Sequence, residues 1–292
     1  MPAADRYVVI GAAGQLGHDL VRTFDLPGEL VPLTRRELDV LDAARTAETL
    51  AALRPTWVLN TAAYNRVDRA EDDRAAAFAL NADAVGGLAA ACERLGAGLV
   101  HFSTDYVFDG HRRAPYLESD APNPLGVYGE SKLRGEELAR ARCRRAIVFR
   151  TSGLFGVARS AGKGGTNFVE TMLRLAREGR AIRVVADQVT GPSYTVDVAR
   201  KVWRVVPKAT HGLYHLTNPG QTSWYDFARR IFALAGLAPD VGPVTSAEFG
   251  ARARRPAYSV LGHAHLAALG EDDLRSWDAA LGAYLAERSS SW

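Results

Sequence analysis

Tyr128-Gly129-Glu130-Ser131-Lys132 sets a phenol and an ammonium four residues apart, on one face of a helix. An adjacent ammonium stabilises a phenolate and draws a tyrosine pKa down from about 10 towards neutrality. A tyrosine so tuned can protonate a carbonyl oxygen while hydride reaches the carbon, and the lysine can also hold a nicotinamide ribose. Near the start, Gly11, Gly14 and Gly17 punctuate Gly11-Ala12-Ala13-Gly14-Gln15-Leu16-Gly17. Gly11 would allow a tight turn, Gly14 the close approach of a pyrophosphate, and Gly17 the packing of a helix whose N-terminus favours negative charge. One segment would hold a dinucleotide and the other would move a proton. A reductase or an epimerase needs both.

A third segment, Ser103-Thr104-Asp105-Tyr106-Val107-Phe108-Asp109-Gly110, follows an apolar run. It falls beyond the carboxyl end of a strand, where open α/β sheets bind ligands. Thr104 is the first choice to hydrogen-bond a substrate carbonyl, with Ser103 second. At the end of the second strand an acid would grip ribose hydroxyls, whereas arginine accepts a 2′-phosphate. Thr34-Arg35-Arg36, with Asp39 slightly later, favours NADPH, with NADH as the alternative. The bland readings are an exposed i,i+4 pair, two solvated arginines and strand-end hydroxyls that satisfy backbone groups. With ten tyrosines and four lysines, Y-x-x-x-K arises by chance in roughly one such chain in seven. Its place gives it weight: it opens a helix after the fourth strand, beyond a loop holding Pro122, Pro124 and Gly126.

Alternating strands and helices would position these groups. Apolar runs at 7–10, 30–33, 57–60, 99–102 and 146–149 read as strands, and 16–24, 75–95 and 128–140 as helices. This predicts an α/β fold, a Rossmann-type doubly wound parallel sheet over residues 1–152. Residues 153–292 read as a smaller, mostly substrate-binding lobe with some segments returning to the sheet. It would hold a flexible loop at 162–165, helices at 167–177, 225–235 and 276–285, a strand at 182–185 and a frayed tail at 289–291.

At 292 residues and 47% apolar content, the chain fits one large α/β domain with an added lobe. A net charge of +3 with scattered arginines gives no strong nucleic-acid signal. Cys92 and Cys143 lack metal-ligand spacing and suit reduced thiols in a cytosolic protein. No signal peptide fits before Tyr7, and no apolar run reaches the length of a membrane span. The expectation is a soluble, cytoplasmic protein with neither nucleic-acid nor membrane partners.

The chain also resembles a known family. Gly11-x-x-Gly-Gln-Leu-Gly17, Asn60-Thr-Ala-Ala-Tyr-Asn-Arg-Val-Asp68 with Ala70-Glu71, Ser103 to Gly110, Tyr128 to Lys132 with Gly135-Glu136, and Phe149-Arg-Thr-Ser152 carry the likeness. It continues through Asn167-Phe168, Asp187-Gln188, Gly191-Pro192, Gly212-x-Tyr-His-Leu216, Ser223-Trp224-Tyr225 and Arg255-Pro256-x-x-Ser259. These segments resemble the dTDP-4-dehydrorhamnose reductases, a branch of the extended short-chain dehydrogenase/reductases.

The resemblance implies NAD(P)H reduction of the 4-keto group of dTDP-4-dehydro-L-rhamnose to dTDP-L-rhamnose, by a monomer or homodimer. It assigns Thr104, Tyr128 and Lys132 to catalysis. It adds Gln15, Leu16, Asp39, Val40, Asn60, Ala62, Ala63, Tyr64 and Ser103 to the cofactor set. The substrate set becomes Thr104, Asp105, Tyr106, Val107, Tyr128, Gly153, Asn167, Phe168 and Arg255, the last suited to a phosphate. Some members use Mg²⁺ at a carboxylate-lined subunit contact, but no motif here carries those ligands, so no metal residues are assigned. One departure matters: the family usually has tryptophan, which lines the sugar pocket, where this chain has Gly153. Gly153 leaves open a different dTDP-4-keto-6-deoxyhexose as substrate, in a roomier pocket. A non-catalytic NADP-binding regulatory protein is a further alternative. An epimerase or dehydratase shares the fold, and the likeness in the second lobe argues against it.

Overall fold

Six parallel strands form the main sheet in a computed structural model that describes residues 4–158, 166–209 and 211–290. Their order is Gly212–His215, β5 (Ala146–Thr151), β4 (Gly98–Thr104), β3 (Trp57–Asn60), β1 (Arg6–Ile10) and β2 (Glu29–Leu33). The register sets Val8 between Val31 and Val58, and Thr104 beside Thr151. Tyr7, Val9, Leu59, Val100, Phe102 and Phe149 pack one face against Leu20, Val198, Val202 and Trp203. Val8, Ile10, Val58, Leu99 and Val148 pack the other against Leu50, Val85, Leu88, Cys92 and Ala139. Burial on both faces explains why these strands are near-continuous apolar runs.

The helices Gln15–Arg22 and Thr195–Val205 cover the first face, and Ala43–Leu53, Ala84–Leu95 and Val127–Arg142 the second. The helix expected over 75–95 is continuous from Arg74 to Leu95 but changes its hydrogen-bond pitch midway. Arg74–Phe78 and Ala84–Leu95 are α-helical, but Ala79–Asp83 between them is a π turn. Contrary to expectation, Arg74–Leu95 is long and apolar enough, by length and composition, to cross a membrane. Half of that stretch's most apolar window is buried in this fold, so its apolar character is that of a core helix.

Much of the second half returns to the sheet. Gly212–His215 extends it beside β5, and Thr195–Val205 lies on Gln15–Arg22. The rest builds a separate core from Phe155, Val169, Leu173, Tyr194, Phe227, Ile231, Leu281 and Tyr284. Two short pairings matter below: Val189–Thr190 with Thr222–Ser223, antiparallel, and Leu154–Phe155 with Ser193–Tyr194, parallel. Of the tail expected at 289–291, Ser289 and Ser290 end the helix Trp277–Ser290, and residue 291 lies outside the described residues. The loop expected at 162–165 lies outside the described residues. Both cysteines are buried free thiols, and burial pushes Cys92 up to about 12.

Candidate active site

The glycine turn closes β1. Gly11 has φ +80°, and its N–H donates to the Leu33 carbonyl of β2 at 2.8 Å. A Cβ on Gly17 would lie 2.3 Å from the Gly11 carbonyl oxygen, so the next helix can start this close to the strand only without one. Gly14 caps that helix with no side chain over its first N–H groups. Thr61 Oγ1 braces the turn by donating to the carbonyls of Ile10 at 2.8 Å and Gly11 at 3.1 Å. The bare backbone at a helix N-terminus, between β1 and β3, fits a pyrophosphate.

Around this cradle the expected cofactor residues divide. The side chains of Leu16 and Val40 are buried in the two sheet cores, leaving their backbone to meet a ligand. Gln15 Nε2 donates to the Gly156 carbonyl at 3.4 Å. Arg35 and Arg36 are both exposed beyond β2, and Arg35 pairs with Asp39 at 3.1 Å. Asn60 is buried, with Oδ1 accepting from Ala62 N–H at 3.2 Å, which shapes the Ala62–Ala63 loop. Tyr64 is held through its backbone by Asn81, whose Oδ1 accepts from Tyr64 N–H at 2.8 Å and whose Nδ2 donates to the Tyr64 carbonyl at 3.0 Å.

Thr104 stands at the carboxyl end of β4, and the Tyr128 phenol, in the first turn of the helix Val127–Arg142, lies near its hydroxyl. The Thr104 hydroxyl also donates to Asp105 Oδ1 at 3.1 Å and accepts from Tyr106 N–H at 3.2 Å. Lys132 is buried. Its Nζ donates to the Phe102 carbonyl at 2.5 Å and lies 3.4 Å from His101 Nε2. The Lys132 ammonium is thus turned to β4 and not to the Tyr128 phenol. Burial pushes Tyr128 up to about 12, opposed by the neighbouring Thr104 hydroxyl. Burial also lowers Lys132 to about 8, and burial with the Lys132 charge holds His101 well below its usual range.

Several expected substrate residues have other partners. Ser103 Oγ donates to Glu136, whose carboxylate forms a buried ion pair with Arg150 at 2.7 Å. Asp105 is a buried hub: Oδ2 accepts from Ser152 Oγ at 2.9 Å and Ser259 Oγ at 2.5 Å. Burial raises its pKa, opposed by these hydroxyls. Val107 packs in a core with Phe108, Tyr116 and Leu261. Tyr106 stands edge-on to Tyr128 at 5.9 Å, and burial pushes its phenol up, opposed by the nearby Arg255 charge. The Arg255 guanidinium grips Asp68 with two hydrogen bonds of 3.0 and 2.7 Å, so a phosphate would have to displace that carboxylate. Asn167 caps the helix Phe168–Arg177, accepting from Glu170 N–H at 2.9 Å, while its Nδ2 donates to the Gly156 carbonyl.

Gly153 has φ +52°, and a Cβ there would lie 3.1 Å from Pro192 Cα and 3.5 Å from Trp224 Cη2. Phe155 does not fill that gap, since it is stacked on Tyr194 in the second core. Phe168 instead packs on Trp224, with ring centroids 4.7 Å apart.

Sequence reasoning gave no role to three residues that hold this constellation. His101 joins Lys132 to Asn60, with Nδ1 3.4 Å from Asn60 Nδ2. Asn81, in the π turn, donates to Ser131 Oγ at 2.9 Å. Glu71 Oε1 accepts from Val127 N–H at 2.9 Å and so caps the helix that carries Tyr128. Glu71 stood inside a quoted motif, but nothing local in sequence marks a cap 56 residues away. Among the described residues no group of three or more His, Cys, Asp or Glu is arranged to hold a metal ion.

The doubly wound sheet, the glycine cradle at its switch point and the Thr104–Tyr128 pair at its open end define a Rossmann-type dinucleotide-dependent reductase. Residues 5–290 match the family model described as the RmlD substrate binding domain, and the chain belongs to that family. The dTDP-4-dehydrorhamnose reductase of Burkholderia thailandensis is 39% identical over 294 residues, covering 95% of this chain and 97% of the relative. The dTDP-4-keto-6-deoxy-D-glucose reductase of Streptomyces niveus is 38% identical over 280 residues, covering 95% of each. The crystal structure of dTDP-4-dehydrorhamnose reductase from Bacillus anthracis in complex with NADP superposes with a TM-score of 0.93. It is 36% identical and covers 97% of this chain and 99% of its own.

Proposed function

We propose that this chain is an NADPH-dependent reductase of a dTDP-4-keto-6-deoxy sugar, with dTDP-4-dehydro-L-rhamnose as substrate and dTDP-L-rhamnose as product. The observation that carries this reading is the Thr104–Tyr128 pair at the carboxyl end of β4, with Lys132 one turn on, together with a glycine cradle that side chains would fill. Gly11, Gly14 and Gly17 would hold the pyrophosphate, and Arg35 and Arg36 the 2′-phosphate. NADPH, when bound, supplies the hydride. Tyr128 donates its phenolic proton to the 4-oxygen. Thr104, fixed by Asp105 and Tyr106 N–H, orients that oxygen. Lys132, once drawn off the Phe102 carbonyl, stabilises the phenolate left behind.

The same reading sets the protein in the cytoplasm as a monomer or homodimer. Loss of reduced-nicotinamide absorbance on adding the 4-keto sugar tests the activity. Tight NADPH binding without turnover of any dTDP-4-keto sugar would make the chain a cofactor-binding regulatory protein instead. A second substrate within the class, dTDP-4-keto-6-deoxy-D-glucose, is favoured by one observation: Gly153 supplies no side chain where the family usually has tryptophan.

A further inference from the structure

The space beside Gly153 is walled from another element. Thr151 pairs with Thr104 in the sheet, and the next residue, Ser152, hydrogen-bonds Asp105 and lies 2.6 Å from Thr190 Oγ1. Thr190 pairs with Thr222, and Val189 with Ser223. Trp224, the residue after Ser223, is thereby carried to the end of β4 and β5 where Thr104 and Tyr128 stand. Ser223 caps the helix Trp224–Leu234 by accepting from Asp226 N–H at 3.0 Å. The indole is fixed at 51° to Phe168 and 57° to Phe227, and it is only half-buried. Its Cη2 lies 3.5 Å from where a Gly153 Cβ would be.

We propose that Trp224, flanked by Pro192 and Phe168, is the aromatic wall for the sugar ring and decides which hexose is accepted. This assignment rests on the reductase reading and names the residue that reads its substrate. A rigid aromatic face takes the C–H face of a pyranose and a methyl group, and offers a ring hydroxyl no acceptor. Two 6-deoxyhexoses epimeric at C5 present different faces and methyl positions to it. Grafting a side chain at position 153 cannot substitute for this wall. A φ of +52° strains any residue with a Cβ, and that Cβ would press on Pro192.

The test uses the full chain with Trp224→Leu, and with Trp224→Phe as the variant that keeps an aromatic ring against Phe168. With NADPH saturating, kcat/KM is measured on two dTDP-4-keto-6-deoxyhexoses epimeric at C5. The preference of the unmodified chain narrows by about tenfold in Trp224→Leu, through KM more than kcat, and by less in Trp224→Phe. Affinity for dTDP alone stays unchanged. No preference in the unmodified chain, or an unchanged preference in a folded Trp224→Leu, overturns the assignment. An equal loss of affinity for dTDP and dTDP-L-rhamnose also overturns it, by putting the ring on the nucleotide.

Should Trp224→Leu fail to fold, indole fluorescence decides. The emission change given by dTDP-L-rhamnose but not by dTDP disappears in Trp224→Phe; its persistence refutes the wall. This arm needs no turnover. Sugar-dependent emission from Trp224 with no oxidation of NADPH would retain the wall and discard the reductase reading.

Discussion

Tyr128 and Lys132 are four residues apart, yet they answer to different partners. Tyr128 leans on Thr104, and Lys132 reaches the Phe102 carbonyl. Tyr128→Phe removes the proton donor while the ring keeps its edge contact with Tyr106, so NADPH affinity stays near that of the unmodified chain. General acid–base groups are worth about 10²–10⁴ in rate, and kcat should fall by that factor. A variant that keeps most of its kcat would show that the proton comes from elsewhere. The pH profile follows from burial. Lys132 is held at about 8 and Tyr128 at about 12, so the first proton lost on raising pH is the ammonium's. kcat/KM should then fall above pH 8, because a neutral amine no longer stabilises the developing phenolate. Lys132→Arg keeps the charge and removes that limb. An unchanged limb in that variant would assign it to another group.

At the scale of elements, the end of β2 sets cofactor choice. Arg35 and Arg36 leave the strand exposed, and the Arg35–Asp39 pair is a surface contact that a phosphate dianion can displace. Replacing both arginines with alanine should raise KM for NADPH far more than for NADH, and equal effects would leave them as ordinary surface charge. β1, β3, β4 and β5 were legible because strands buried on both faces must be apolar throughout, and the edge strand β2 was legible from its apolar Leu30, Val31 and Leu33 although it is only partly buried. The helix Ala43–Leu53 was not anticipated although Asp42 signals it, its side chain accepting from Arg45 N–H. Thr195–Val205 was hidden for a physical reason: its valines at 196, 198, 202 and 205 favour strands, and tertiary burial against Gln15–Arg22 overrides that preference. The π turn around Asn81 has no sequence signature. Tyr128, Lys132 and the glycines were legible because short spacing encodes them. Glu71, His101 and Trp224 depend on chain-distant pairings that no local pattern records.

Over the whole molecule, the cofactor helix and the second lobe are pinned together. Thr195 Oγ1 donates to Asp19, Arg22 pairs with Glu287 at 2.5 Å, and Gln15 reaches the Gly156 carbonyl. On the other flank, His215 ties loops to the sheet edge. Its Nδ1 faces the carbonyls of Tyr116 and Gly262, both at 3.0 Å, so that nitrogen carries the proton. Nε2 is then an acceptor facing Arg150 at 3.4 Å, and a second proton there would meet the guanidinium. Burial first, and then the Arg150 charge, lower His215 to about 3 from an ordinary 6.5. Between those values the unfolded chain binds a proton that the native chain does not, so stability rises with pH and is lost on acidification. The contribution is full above 6.5 and declines as pH falls towards 3. Tm should therefore drop as pH falls from about 6.5 to 5, before carboxylates with reference pKa values near 4 titrate. His101, also held neutral by burial, adds to the same slope. His215→Asn keeps an N–H donor in place of Nδ1 but cannot titrate. It should be less stable at neutral pH and show a shallower Tm slope over this window. Thermal melts of both proteins across that range check it, and parallel slopes would show that His215 is not the group being protonated.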